Sequence, residues 1–120
     1  MSFVATALVV FVALEHLYFM ALEMWLWRAP RGLKTFGMTK DYAETTAKLA
    51  ANQGLYNGFL AAGLIWSLFS PAHGFSLQVF FLSCVVIAGL FGAATVKPVI
   101  ALVQAAPAAL ALGAVLFAAA

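Results

Sequence analysis

The chain reads as an all-α integral membrane protein, a four-helix bundle forming one domain over residues 1–120. Three observations predict it. Of 120 residues, 66% are hydrophobic and only 8% are charged, against roughly 25% charged in soluble domains. Mean hydropathy is +1.06. Four apolar segments, separated by turn residues, each approach the roughly 20 residues a helix needs to cross hydrocarbon. This composition excludes an ordinary soluble domain and makes the bundle itself the hydrophobic core.

The first helix is expected over about residues 3–27, with Pro30 and Gly32 stopping it. It is too long for the apolar region of a cleavable signal peptide and lacks a basic leader, so it is expected to remain as a permanent span. The second helix runs over about 40–69. Thr39 or Asp41 caps it, Asp41-x-x-Glu44 resembles a capping box, and Lys40/Glu44 and Glu44/Lys48 are i,i+4 pairs. It therefore begins as a solvated stalk and enters the membrane near Leu49. Ser70-Pro71-Ala72-His73-Gly74 makes a tight turn into the third helix, about 75–96. Lys97-Pro98 opens the fourth, about 98–119, with proline where its missing N–H does no harm, and Pro107 should kink it. The one cysteine, Cys84, has no partner for an intramolecular disulfide and reads as a small packing residue.

Orientation follows from the basic residues. Arg28, Arg31, Lys34, Lys40 and Lys48 lie in or beside the first loop and Lys97 in the third, while the second loop has none. Lysine and arginine are retained on the cytoplasmic face, so both termini should lie outside and the long first loop inside. The basic loop then serves topology and contact with membrane lipids, not a nucleic acid.

Glu15, His16 and Glu23 sit within the first apolar segment. An ionisable group near mid-bilayer costs about 2.5–3.5 kcal/mol or more, so such groups face protein or a wet cavity and mark a site. At 100° per residue Glu15, Phe19, Glu23 and His16 fall at about 0°, 40°, 80° and 100°, one stripe of the helix. Glu15 and Glu23 are about 12 Å apart along the axis, too far to share one ion held at about 2 Å, so no metal site is expected. Glu15 either keeps a proton or accepts hydrogen bonds from Tyr56 or Asn57, because an unpaired charge there is costly. His16 is open to three readings: a neutral hydrogen-bonded side chain, a proton relay or a ligand. Glu23, nearer the interface, can pair with Arg28 or Arg31.

The second helix offers matching polarity. Asn52, Gln53, Tyr56 and Asn57 cover one face, beside a small-residue stripe of Ala50, Gly54, Gly58 and Ala62 suited to close helix packing. Counting depth from Arg28 and Lys48 sets Glu23 level with Asn52 and Gln53, and Glu15 and His16 level with Asn57 and Tyr56. The seven residues Glu15, His16, Glu23, Asn52, Gln53, Tyr56 and Asn57 are the candidate site, a polar wedge opening to the cytoplasm. Proton- or ion-linked transport or small-molecule binding is the first reading. A membrane enzyme acting on a lipophilic substrate, with Glu15 or His16 as general acid or base, is the alternative. A structural or accessory subunit, whose polar residues fix helix register, is the third. Four helices leave little room for a transport route in one protomer, and the small faces suit a homo-oligomer. Phosphate-binding loops, nucleophile elbows, zinc motifs and dinucleotide fingerprints do not occur in the sequence, so those chemistries have no support and the cofactor is unknown.

The run Ala13-Leu14-Glu15-His16-Leu17-Tyr18-Phe19-Met20-Ala21-Leu22-Glu23-Met24-Trp25, then Pro30-Arg31-Gly32, then Leu49-Ala50-Ala51-Asn52-Gln53-Gly54-Leu55-Tyr56-Asn57-Gly58-Phe59-Leu60-Ala61-Ala62-Gly63, resembles the bacterial domain-of-unknown-function family 1304 (DUF1304) over nearly the whole chain. The resemblance implies a small four-helix protein of the bacterial inner membrane, with no activity assigned. The four-helix layout is also similar to the membrane-associated proteins in eicosanoid and glutathione metabolism, which are trimeric. Those place arginines at a glutathione site, whereas the second helix here carries Lys48 and no arginine. Only the architecture is carried over, without glutathione.

Overall fold

The structure, a computed structural model, describes residues 2–120, and every regular element among them is helical. The elements are α1 (Phe3–Met24), α2 (Pro30–Phe36), α3 (Lys40–Leu68), α4 (Gly74–Thr95), a π-helical turn (Ala101–Ala105) and α5 (Ala106–Ala119). Among the described residues three helices are long and apolar enough to cross a membrane: α1, α4 and the stretch Ala101–Ala119. At 29 residues α3 is the longest. Its charged first turns and its amides keep it outside that group of three.

The chain divides into two compact units. One comprises the N-terminal residues to Ala13 with Ala62–Ala120, and the other is Leu14–Ala61. In the first, α4 buries Gln78, Leu82, Val85 and Gly89, spaced four, three and four apart along one face. α5 buries Ala108, Ala111 and Val115 at the same period. The helices approach closely because Gly89 has no side chain: a Cβ there would lie 2.6 Å from the Ala105 nitrogen and 2.9 Å from its Cα. Gly92 sits likewise against Ile100. The expected irregularity near Pro107 takes the form of a π-turn just before it. Pro107 then falls in the first turn of α5, directly after the π-turn, whose wider ladder accommodates a residue without an N–H.

In the Leu14–Ala61 unit the helix boundaries differ from those expected. α1 ends at Met24, not near Trp27, and Pro30 does more than stop it: it opens a new helix, α2, at its first turn. Gly37 closes α2 in the left-handed conformation (φ 63°), and its N–H and that of Met38 both reach the Leu33 carbonyl. Gly32 allows α2 to lie against the turn after α1, since a Cβ there would collide with the carbonyls of Leu26 and Trp27. Trp27 ties this corner together. Its indole N–H donates to Thr46 Oγ1 of α3 at 3.0 Å, and its ring packs on Phe36 of α2. Of the two capping candidates for α3, Thr39 is the one used: its Oγ1 accepts the Tyr42 N–H at 3.1 Å.

The small residues of α3 have an occupant within the chain. A Cβ on Gly54 would lie 2.7 Å from Met24 Cγ and 3.1 Å from the Met20 carbonyl oxygen, and one on Gly58 would lie 2.7 Å from Met20 Sδ. α1 and α3 thus meet where Gly54 and Gly58 are, and this contact sets the register of the polar residues on either side.

Candidate functional site

All seven candidate residues belong to the Leu14–Ala61 unit. The structure sorts them into two groups. Asn57, 5% exposed, points inward from α3, and its Nδ2 donates to Glu23 Oε1 of α1 at 2.5 Å. An amide donor to a carboxylate is a charge-assisted bond when the acid is ionised, and it gives the half-buried Glu23 a fixed partner. The expected pairing of Glu23 with Arg28 or Arg31 does not form. Arg28 instead bonds Glu44 at 2.8 Å, and Arg31 donates to the Tyr18 hydroxyl at 2.9 Å, both at exposed positions. Glu44 is consequently engaged by Arg28, in the turn that follows α1.

The depth count is off by about one helical turn. α1 stops at Met24, which lies level with Gly54, while Trp27 reaches Thr46 and Arg28 reaches Glu44; the non-helical residues 25–28 with their long side chains therefore cover more of the α3 axis than four helical residues would. Asn57 therefore reaches Glu23, not Glu15. The expectation that Asn57 and Tyr56 would serve Glu15 is corrected accordingly. Tyr56 is 57% exposed and leans edge-on against Phe59.

Asn52 and Gln53 are also exposed, yet together with Tyr56 and Glu23 they wall a cavity of about 570 Å³. Its remaining lining is Trp27, Tyr42, Thr46, Leu49 and Ala50. That volume lies in the range of small-molecule sites, and the lining mixes aromatic surface with a few convergent polar groups. No Lys or Arg is among the lining residues. Glu23 also borders a second cavity of about 370 Å³ on its other side, where Arg28, Glu44 and Lys48 bring charge. Trp27, Tyr42 and Thr46 were not among the residues singled out from the sequence. A signal was there: Tyr42, Thr46, Leu49, Gln53 and Tyr56 recur at three- and four-residue spacing, one continuous stripe of α3.

Glu15 and His16 form the second group. His16 is fully buried and sits edge-on to Phe19. Its Nδ1 lies 4.0 Å from Glu15 Oε1, beyond hydrogen-bond reach. Glu15 Oε1 is buried and accepts no hydrogen bond among the described residues. Such an oxygen is expensive as a bare carboxylate and far less so when it shares or carries a proton. Among the described residues no group of three or more His, Cys, Asp or Glu side chains gathers as a metal site would require.

The family described as "Protein of unknown function (DUF1304)" matches residues 10–116. The chain is similar to the "Uncharacterized protein YpaA" of Lactococcus lactis subsp. lactis (strain IL1403), at 32% identity over 114 residues, covering 93% of this chain and 96% of that one. No solved structure matches.

Proposed function

Because the chain belongs to the DUF1304 family, proteins of unknown function, we propose its function from its own polar site: it binds a small molecule in the cavity walled by Glu23, Asn52, Gln53 and Tyr56. The observation that carries this reading is the exposure of Asn52 and Gln53. Their partner Asn57 is committed to Glu23, whereas these two amides present donors and acceptors to open space beside Trp27 and Tyr42. A structural clamp would turn them inward. Facing a ligand, they replace water for its polar end while the aromatic rings cover its apolar part.

The setting proposed for this site is a single four-helix domain in the bacterial inner membrane, with both termini outside and the long first loop in the cytoplasm. The clustering of Arg28, Arg31, Lys34, Lys40 and Lys48 supports that orientation. α3 would be the fourth span, crossing from about Leu49 to its end at Leu68 with its amides turned towards protein. A polar face cannot be left against lipid, which supports a homo-oligomer in which a neighbouring copy shields the open side of the groove. The test is solvent extraction of the purified protein followed by mass spectrometry of the extract. A compound enriched with the wild type and lost from the Asn52→Leu/Gln53→Leu variant supports the binding reading; identical extracts contradict it.

A second reading rests on a different observation, the buried and unbonded Glu15 Oε1 next to His16. In this reading the pair moves a proton during transport, Glu15 carrying it and His16 relaying it. Proteoliposomes bearing a pH-sensitive dye test it: Glu15→Gln should abolish proton flux, and flux unchanged in that variant would remove Glu15 from any relay.

A further inference from the structure

We propose that a separate cavity at the α3–α4 turn binds the oxygen-bearing head of a single-chain acyl lipid, with the Gln78 side chain as its hydrogen-bond donor. The cavity holds about 350 Å³ and is lined by Ser67, Leu68, Ser70, Phe75, Gln78 and Val115 among others, sharing no residue with the Glu23 groove. Gln78 is 1% exposed, and its Nε2 makes no hydrogen bond among the described residues. A buried amide N–H without a partner costs about 1–3 kcal/mol, which an acceptor from a ligand recovers.

Two of the other polar groups at the turn are already engaged. Ser67 donates to the Leu64 carbonyl, and the Gly74 N–H donates to the Ser70 carbonyl at 2.7 Å. The 22-residue α4 begins here with no acidic residue in its first turn, so its positive end favours an acceptor or an anion over a cation. No Lys, Arg, Asp or Glu lines the cavity.

The rest of the wall fits a hydrocarbon chain. Leu68, Phe75, Val115 and Ala118 supply apolar surface, and Trp66, Phe69 and Phe75 are exposed around the same turn, where aromatic side chains meet a membrane interface. The volume is near the low end of the roughly 300–1,000 Å³ of ligand sites, enough for a head and part of one chain but not two. The shared chemistry is an acyl carboxyl oxygen, which either a free fatty acid or the ester of a membrane lipid presents.

The experiment titrates the full-length detergent-solubilised protein with palmitate labelled with carbon-13 at the carboxyl, read by its carboxyl resonance. Methyl palmitate and hexadecyltrimethylammonium serve as competitors. Palmitate should bind one per chain, and Gln78→Leu should weaken it about five- to tenfold, the worth of one hydrogen bond. Removing an unpartnered N–H should not harm folding, which circular dichroism checks. Ala118→Phe, which fills the cavity from the other helix, should block binding independently. Competition by methyl palmitate assigns the ester as the source, and its failure to compete assigns the free acid. Equal displacement by hexadecyltrimethylammonium, or palmitate binding unchanged in a folded Gln78→Leu protein, overturns the proposal.

Discussion

Asn57 of α3 donates its side-chain amide to the Glu23 carboxylate of α1, joining two residues 34 positions apart in the chain. The bond depends on the close contact at Gly54, and it leaves Asn52, Gln53 and Tyr56 to face the cavity. One inward amide thus separates the polar residue bonded to Glu23 from those that line the cavity.

The first consequence concerns stability. Asn57→Leu leaves Glu23 without its donor and should destabilise the protein by about 1–3 kcal/mol. In a double-mutant cycle with Glu23→Gln, the coupling should be about 0.5–3 kcal/mol, measured from reversible denaturation in detergent. Additive effects of the two substitutions would mean that the bond contributes nothing.

Gly54 and Gly113 should respond in opposite ways. Gly54 is enclosed by Met20, Glu23 and Met24, whereas nothing lies within 4 Å of a Cβ on Gly113. Gly54→Leu should cost about 1–3 kcal/mol or more through overpacking, while Gly113→Ala should be neutral or slightly stabilising. Thermal melting of both variants distinguishes them, and a Gly54→Leu protein as stable as wild type would contradict the α1–α3 contact.

Trp27 should report on the corner it holds. Thr46→Val removes the acceptor of the indole N–H and should cost about 1 kcal/mol. In a protein whose other tryptophans, Trp25 and Trp66, are replaced by Phe, the emission of Trp27 should change on this substitution. An unchanged spectrum and melting temperature would show that the bond is not formed.

The proposed orientation can be read by labelling. With Cys84→Ser as background, Ala72→Cys in the α3–α4 turn should react with a membrane-impermeant maleimide on intact spheroplasts. Thr35→Cys of α2 should react only after permeabilisation; both positions are exposed. The reverse pattern would invert the topology.

Much of this was legible in the sequence, for stated reasons. Turn residues and apolar length are local signals, so the Ser70–Gly74 turn and the start of α4 followed from residue type alone, while residue type narrows the cap of α3 to Thr39 or Asp41 and the structure selects Thr39. α2 was not legible, because Pro30 is compatible both with ending one helix and with opening the next, and tertiary packing at Gly32 and Trp27 decides between them. The register of Glu23 against Asn57 failed for the same cause: depth counted from Arg28 assumes helix where the chain turns. Gln78 is a lone amide in the apolar run of α4, and only its burial without a partner distinguishes it.

The most direct test of the account is native mass spectrometry of the protein released gently from membranes, wild type beside Glu23→Gln and Asn52→Leu/Gln53→Leu. The account predicts a small-molecule adduct on the wild type that is weakened in the first variant and absent from the second, with subunit number unchanged. An adduct retained at equal occupancy in both variants, or a wild-type protein that carries none and acquires none from a membrane extract, would contradict a ligand site at the Glu23 cavity.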